Sequence, residues 1–173
     1  MKINNINISL ENNIYILEKN GYLEKLVSEK DIIHTIFWYP ILEMRFSDFD
    51  SKVNEAFLDV TFPYLLLIKN VVQCGSFYWV RKALEWYKQL DFNIFINSFI
   101  LDCLSRKGLT QEDRNKLKKI LSSKYKEKAQ IIFSSDTEQN KEEFTAALNS
   151  NQIQFKEIND NIIIVGNQKF QFR

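Results

Sequence analysis

The sequence predicts an α+β fold in which a helical N-terminal bundle occupies about two-thirds of the chain and a small sheet follows it. Only four glycines and two prolines occur among 173 residues, which favours long helices over a turn-rich sandwich. Apolar residues recur at helical spacing through the middle of the chain, most clearly in Ser76–Lys107. Near Ala129 the spacing becomes strand-like. We therefore expect a helical domain at residues 1–128 and a β-α-β-β-β subdomain at residues 129–173, docked on the helices.

The N-terminal segment allows two interpretations. Apolar residues alternate with polar ones in residues 2–10, which is compatible with a short strand. Alternatively, Ser9 caps a helix that covers Leu10–Asn20. We favour the helix, which Gly21 would end, and we expect another short helical piece at Tyr22–Glu29.

Residues 31–37 (DIIHTIF) are apolar and β-branched, so they are compatible with a strand or with a buried helix. The helical pattern of the neighbouring segments favours the helix. Pro40 disfavours the helical conformation of the residue before it and marks a break or a new start. A helical pattern covers Ser51–Val60, and Pro63 either kinks this helix or opens a new one that runs through Val72.

Ser76–Lys107 predicts two consecutive helices. Phe77–Leu90 places apolar residues on about half of its circumference and charged residues on the other half. Ile94–Leu104 is apolar almost throughout, and Asp91 or Asn93 can cap its start. The many aromatic residues at helical spacing are typical of a packed core rather than of a stacking platform for a ligand.

The remaining elements follow from caps and from the change of period. Thr110 and Asp113 have the form of a capping box before an amphipathic helix. Gln130–Ser134 then predicts a strand, and Thr137–Asn149 predicts a helix. Further strands are predicted around Ile153 and Phe155, over Ile162–Val165, and over Lys169–Phe172 after a Gly166-Asn167 turn.

Composition limits the class of protein. The hydrophobic fraction of 45% suffices for a packed core, and the net charge of +1 gives no general attraction to nucleic acid or anionic membranes. The longest apolar run, Phe62–Ile68, is far shorter than the roughly 20 residues of a membrane span. The N-terminus lacks the apolar region of a signal peptide. We therefore expect a cytoplasmic protein with no membrane partner.

No residue pattern in the sequence has the spacing of a catalytic or metal-binding site. His34 is the only histidine, and its apolar neighbours are typical of a core or boundary position. Cys74 and Cys103 do not form a C-x-x-C pair, which disfavours zinc and dithiol chemistry. Asp48 and Asp50 are too generic a pair to assign a general acid and a general base. We predict that the protein is not an enzyme and has no catalytic residue, metal or cofactor.

Charge is distributed unevenly along the chain. Residues 1–60 carry six basic and ten acidic side chains, whereas residues 61–128 carry thirteen basic and six acidic ones. The predicted helix at residues 114–128 could hold a phosphate backbone. A solvated outer face explains the same lysines more simply, so nucleic acid is disfavoured as a partner. The basic residues of this helix are Arg114, Lys116, Lys118, Lys119, Lys124, Lys126 and Lys128.

An acidic patch lies in the first third of the chain. It suggests that the partner is a basic protein surface, because complementary charge raises the rate and selectivity of association. Phenylalanines near the patch are candidate exposed anchors. A solvated helix face is the alternative interpretation. The candidate partner-binding residues are Asp48, Asp50, Glu55, Asp59, Phe46 and Phe49.

The segment ALEWYKQLDFNIFINSFILDCLSRKGLTQEDRNKLKKIL is similar to the paired helices of some bacterial immunity proteins, of the contact-dependent inhibition and polymorphic toxin type. The aromatic-rich helical body and the Asn-, Lys- and Ile-rich composition also resemble that class. The resemblance implies a protein that binds a cognate toxin domain, commonly a nuclease, in a one-to-one complex and covers its active site or substrate groove. The alternatives are a nucleic-acid-binding protein that uses helix 114–128 and a structural adaptor that docks through its C-terminal sheet edge.

Overall fold

The chain divides into two units, Met1–Leu90 and Asp91–Arg173. Each unit combines an antiparallel sheet with helices, so the fold is α+β, but the order of the elements differs from the predicted one. The computed structural model describes residues 1–3, 5–26, 36–58, 60–74, 76–105, 109–134 and 140–172.

The N-terminal segment is a four-stranded antiparallel meander, so the predicted helical N-terminal bundle is wrong. Residues 2–10, which allowed either a strand or a helix, belong to the first two strands. Neighbouring strands pair in the order in which they occur in the chain. The strands are β1 (Lys2–Ile3), β2 (Ile6–Glu11), β3 (Ile14–Lys19) and β4 (Tyr22–Leu26).

Two tight turns explain why this segment is a meander. Asn12 and Asn13 have φ angles of 50° and 62°, and Asn20 and Gly21 have φ angles of 52° and 80°. Two consecutive residues at positive φ are what a type I′ hairpin turn requires, and Asn and Gly tolerate this conformation better than other residues. The helix predicted at Leu10–Asn20 is therefore wrong, and Gly21 closes a hairpin instead of ending a helix. The helical piece predicted at Tyr22–Glu29 is also wrong, because Tyr22–Leu26 is a strand; residues 27–29 lie outside the described residues.

Helices follow the meander in the first unit. Helix α3 confirms the predicted helix that starts at Phe77. Helix α1 begins at Phe46 rather than at the predicted Ser51, and Pro40 lies inside a 3₁₀ helix instead of breaking one. Residues 31–35, with His34, lie outside the described residues. The helices are the 3₁₀ helix (Ile36–Glu43), α1 (Phe46–Ala56), α2 (Tyr64–Cys74) and α3 (Phe77–Tyr87).

One buried ring joins the meander to the helices of the first unit. The centroid of the Phe62 ring lies 4.9 Å from that of Tyr15 in β3, 5.8 Å from that of Trp38 in the 3₁₀ helix and 5.0 Å from that of Phe49 in α1. All four side chains are at most 2% exposed. Tyr15 also donates a hydrogen bond of 2.9 Å to the carbonyl of Val60. The core of this unit is therefore aromatic and contains side chains from the meander, the 3₁₀ helix and α1.

The second unit contains three helices and a three-stranded sheet within the described residues. The domain boundary expected at residue 128 falls inside its longest helix. Residues 135–139, where the predicted helix Thr137–Asn149 was to begin, lie outside the described residues. The elements are α4 (Ile94–Ser105), α5 (Gln111–Ser134), α6 (Lys141–Ser150), β5 (Lys156–Asn159), β6 (Ile162–Val165) and β7 (Gln168–Gln171).

Side-chain caps confirm two helix starts that the sequence predicts. The Asn93 Oδ1 atom accepts a hydrogen bond of 3.2 Å from the backbone N–H of Ile96, at the start of α4. The Thr110 hydroxyl accepts a bond of 3.1 Å from the backbone N–H of Asp113 and donates one of 2.7 Å to the Asp113 carboxylate. These bonds satisfy amide groups that have no partner inside a helix.

The strand predicted at Gln130–Ser134 is wrong, because these residues continue α5. Tyr125, Ala129 and Phe133 lie four residues apart and therefore share one side of the helix. Tyr125 and Ala129 are buried, and the Phe133 ring packs edge-on against Phe144 at 5.6 Å between centroids. Burial of this side of the helix outweighs the local β-propensity of the isoleucines.

The C-terminal sheet contains three antiparallel strands in the order β5-β6-β7, without the first strand of the predicted β-α-β-β-β unit. The strand predicted around Ile153 and Phe155 is also wrong, because β5 begins after them, at Lys156. The predicted Gly166-Asn167 turn between β6 and β7 is confirmed. Gly166 has a φ of 63°, and a Cβ atom placed on it would lie 2.7 Å from the Ser122 hydroxyl oxygen in α5. This turn therefore needs glycine both for its conformation and for its close approach to α5.

Replacing Gly166 tests this close approach. We expect Gly166→Ala to lower the free energy of unfolding by about 2 kcal/mol, because it combines backbone strain with overpacking. Gly21→Ala is the matched control, since Gly21 also has a positive φ but a Cβ atom placed on it would meet no atom within 4 Å, and we expect it to cost about 1 kcal/mol. Urea unfolding measures both values. In a Ser122→Ala background the difference should shrink, and an unchanged difference would contradict the proposed clash.

Candidate functional site

The exposed side of α1 carries the acidic residues that the sequence predicts to bind a partner. Asp48 and Glu55 are exposed and lie seven residues apart, so they share one side of the helix. Their nearest bonds are to Ser47 at 3.3 Å and Ser51 at 3.4 Å, which are weak surface contacts. Lys52 is exposed on the same side. The face is therefore accessible, with two carboxylates and one ammonium group.

Asp50 has a structural role that the sequence analysis did not predict. One of its carboxylate oxygens accepts a hydrogen bond of 2.6 Å from the Tyr64 hydroxyl, and the other accepts one of 3.2 Å from the Asn54 side chain. Burial raises the pKa of Tyr64, and the hydrogen bond to Asp50 raises it further. Asp50 thus joins α1 to α2, and both of its carboxylate oxygens already accept a hydrogen bond within the protein.

The two candidate aromatic anchors have different environments. Phe49 is fully buried, so the prediction that it is exposed is wrong. It lies one residue from the exposed face of an amphipathic helix, where the 3.6-residue period turns it inward. Phe46 is half-buried, and its ring centroid lies 4.9 Å from that of Tyr64 and 5.6 Å from that of Trp86. Asp59 lies outside the described residues.

A groove of about 410 Å³ lies beside Phe46, between the end of the 3₁₀ helix, the start of α1 and α3. Its floor includes Leu42 and Trp86, which are each 2% exposed. The Trp86 indole donates a hydrogen bond of 2.9 Å to the carbonyl of Met44, which fixes the floor against the chain that leads into α1. The lining residues are Leu42, Glu43, Met44, Arg45, Phe46, Ser47, Lys82, Glu85, Trp86 and Gln89.

Charged side chains form the rim of this groove. Lys82 and Glu43 form an ion pair of 2.7 Å, and the Tyr78 hydroxyl also donates a hydrogen bond to Glu43. The hydrogen bonds from Lys82 and Tyr78 lower the pKa of the Glu43 carboxyl. Glu85 pairs with Lys88 at 2.5 Å. The groove thus combines an apolar floor with a charged rim.

This groove was not predicted from the sequence. Trp86 lies in the apolar half predicted for Phe77–Leu90 and is buried, but no local signal relates it to Met44, 42 residues away in the chain. The pairing of Glu43 with Lys82 is equally non-local. Sequence periodicity predicts which side of a helix is buried but not which loop covers it.

A larger concavity, of about 680 Å³, lies over the outer face of the N-terminal sheet. Ile16 lies in its lining and is 6% exposed. Leu23 and Lys25 line the concavity on strand β4. Glu11 and Glu18 contribute carboxylates, so the lining has mixed charge and no single-sign field.

The lysine-rich helix does not collect its charges into one stripe. At about 100° per residue, the basic positions of α5 point in all directions around the axis. Lys124 is 3% exposed and forms an ion pair of 2.8 Å with Glu127. Lys116 pairs with Glu112 at 2.5 Å, and Arg114 donates a hydrogen bond to the carbonyl of Leu104. A phosphate backbone that follows one side of the helix would contact few of these side chains.

Within the described ranges, no three His, Cys, Asp or Glu side chains are grouped so that they could hold a metal ion. Of the helices in those ranges, none has both the length and the hydropathy that crossing a bilayer requires. Cys103 is a buried thiol.

Comparisons with protein-family models, with curated proteins and with solved structures find no match to this chain.

A buried carboxylate supports the 3₁₀ helix that leads to the groove. Glu24 in β4 is 6% exposed, and one of its oxygens accepts a hydrogen bond of 3.1 Å from the backbone N–H of Phe37. Its other oxygen is buried and has no hydrogen-bond partner among the described residues. Burial raises the pKa of Glu24 to about 7, against the opposing effect of hydrogen bonds from the amides of Phe37 and Trp38.

The pH dependence of stability tests the state of Glu24. Its pKa in the folded protein lies above the ordinary value of 4.5, so the folded state binds a proton that the unfolded state releases. This contribution to stability is present below pH 4.5 and is lost as the pH rises to 7, by up to about 3 kcal/mol. We expect Glu24→Gln to remove this loss, so that the variant is more stable than the wild type at pH 8. Parallel stability profiles of the two proteins would contradict the assignment.

Proposed function

We propose that this chain is an immunity protein that binds the toxin domain of a bacterial inhibition system in the cytoplasm. The observation that carries the proposal is the groove beside α1, where a half-exposed phenylalanine lies next to an apolar floor inside a charged rim. Tight protein interfaces have this anatomy, because a few anchors in a desolvated pocket supply most of the binding free energy. The groove would receive an apolar side chain of the toxin, and Phe46 would pack against it.

The acidic side of α1 supports a basic partner. A nuclease toxin must hold phosphates, and it does so with lysine and arginine side chains. Asp48 and Glu55 are exposed carboxylates that would face such a surface. Lys52 reduces the net charge of this face, so the carboxylates contribute to the rate and selectivity of association more than to affinity.

The mechanism we propose is occlusion. The protein would cover the active site or the substrate groove of the toxin in a one-to-one complex and would carry out no chemistry itself. The similarity of the segment around α3, α4 and α5 to the paired helices of immunity proteins supports the same class. In this function α2 and α3 act as the scaffold that holds α1 and the groove in place, through the bond from Tyr64 to Asp50 and the bond from Trp86 to Met44.

Binding to the product of the neighbouring gene tests the proposal. Calorimetry with that toxin domain should give a one-to-one complex, and Phe46→Ala should weaken it about 30-fold, as expected for the loss of a central anchor. The double variant Asp48→Lys, Glu55→Lys should lower the association rate about tenfold at low salt and less at high salt. Thermal unfolding verifies that each variant is folded.

Asp160→Lys is the matched control, because Asp160 is an exposed carboxylate in the turn between β5 and β6 of the other unit. Asp160→Lys changes the net charge by +2, as does each of the two substitutions on α1, and it should leave both the affinity and the association rate unchanged. If the neighbouring gene product binds no more tightly than an unrelated nuclease, the proposed function is wrong. If it binds but Phe46→Ala has no effect, the groove is not the contact.

A further inference from the structure

Strand β4 forms one edge of the N-terminal sheet, and among the described residues it pairs only with β3. Lys19 and Tyr22 flank a two-residue turn, and residues in that position form a hydrogen-bonded pair. Hydrogen-bonded and non-hydrogen-bonded pairs alternate along an antiparallel ladder. Leu23 and Lys25 therefore direct their backbone N–H and C=O groups away from β3, towards the edge at which no described strand pairs with β4.

Large apolar side chains are exposed beside this edge. Tyr22 is 65% exposed, Leu23 is 71% exposed, and Ile36 at the start of the 3₁₀ helix is 60% exposed. The Tyr22 ring stacks on Phe37 with 5.9 Å between centroids, so the exposed surface has a fixed shape. Tyr22 and Leu23 are consecutive in the strand and point to opposite faces of the sheet, so a large apolar side chain is exposed on each face beside this edge.

Among the described residues, the sheet edges formed by β1 and β5 have more protection against strand pairing than the edge formed by β4. Native proteins protect edges with short strands, bulges and lysines. Strand β1 has only two residues. Strand β5 has an irregular register between Glu157 and Asn159, and the Lys141 ammonium group lies 3.3 Å from the Asn159 carbonyl oxygen. Strand β4 pairs in regular register over all five of its residues, so Lys25 is its one protective feature of this kind.

The geometry points to β4 as the docking edge for an extended segment of a partner protein, which adds a strand to the N-terminal sheet. Only an extended backbone places donors and acceptors at the two-residue spacing that Leu23 and Lys25 present. On the outer face, an apolar residue of the segment lies opposite Leu23 and a carboxylate lies opposite Lys25, which is exposed. The segment then extends the concavity that Leu23 and Lys25 line.

This surface is separate from the groove beside α1, so the inference goes beyond the proposed function and does not require that the partner be a toxin. The 3₁₀ helix links the two surfaces, since Phe37 contacts Tyr22 and Glu24 of β4 and Leu42 lies in the groove. The edge can nevertheless be tested without any natural partner, because strand addition depends on the backbone of the segment and on two side chains.

The test uses the soluble peptide acetyl-Thr-Glu-Thr-Val-Thr-Thr-amide and the full chain. We expect saturable changes in the amide chemical shifts of Tyr22–Leu26 at millimolar peptide. Leu23→Pro removes an outward N–H group and leaves the ladder to β3 intact, so it should weaken binding about tenfold, the equivalent of one lost hydrogen bond. Lys25→Glu should weaken binding up to about fivefold, and a peptide with Lys in place of Glu should recover it.

Gln171→Pro is the matched control. The Phe172 N–H bonds to the Asn161 carbonyl across the ladder, so the N–H of Gln171 points away from β6 at the edge of the other sheet. This variant should bind the peptide as the wild type does. The proposal is overturned if the wild type shows no shifts up to the solubility limit of the peptide, or if the shifts persist in Leu23→Pro. Concentration-dependent dimerisation that Leu23→Pro abolishes would also overturn it, because the edge would then pair with a second copy of the chain.

Discussion

The packing of Phe62 is the contact on which the first unit depends. Its ring touches the meander through Tyr15, the 3₁₀ helix through Trp38 and α1 through Phe49. Truncating a buried phenylalanine costs about 3–5 kcal/mol, a large fraction of the stability of a small domain. The 3₁₀ helix and α1 form two walls of the groove, and the 3₁₀ helix also flanks the β4 edge. The positions of both candidate surfaces therefore depend on the packing of Phe62.

Sequence reasoning succeeded where one local signal dominates. The apolar half of α3, the Asn93 cap and the Thr110 capping box each need only a few adjacent residues. It failed where two signals compete. The meander contains residues that also fit a helix, and the asparagine turns decide the outcome only if positive φ is recognised as their requirement. Residues 130–134 prefer strands locally, yet the packing of Phe133 keeps them helical.

Only part of the candidate site was predicted, because local patterns indicate which residues are exposed but not which distant residues they contact. Helical periodicity correctly predicts that Asp48 and Glu55 are exposed. The same periodicity indicates that Phe49 is buried, as the structure shows. The role of Asp50 depends on Tyr64, which belongs to another helix. The groove depends on contacts that join distant parts of the chain. No local pattern encodes such contacts, so a single sequence predicts charge and exposure better than it predicts a concave surface.

The sequential order of the strands has a consequence for how the chain folds. In both described sheets every strand pairs with its neighbour in the chain, so hairpins can form with little loss of loop entropy. The slow step in the first unit should then be the docking of β3 on the segment before α2, because Tyr15 and Val60 are 45 residues apart. During synthesis the meander would form early. The helices of the first unit would pack on the meander only after Phe62 has left the ribosome.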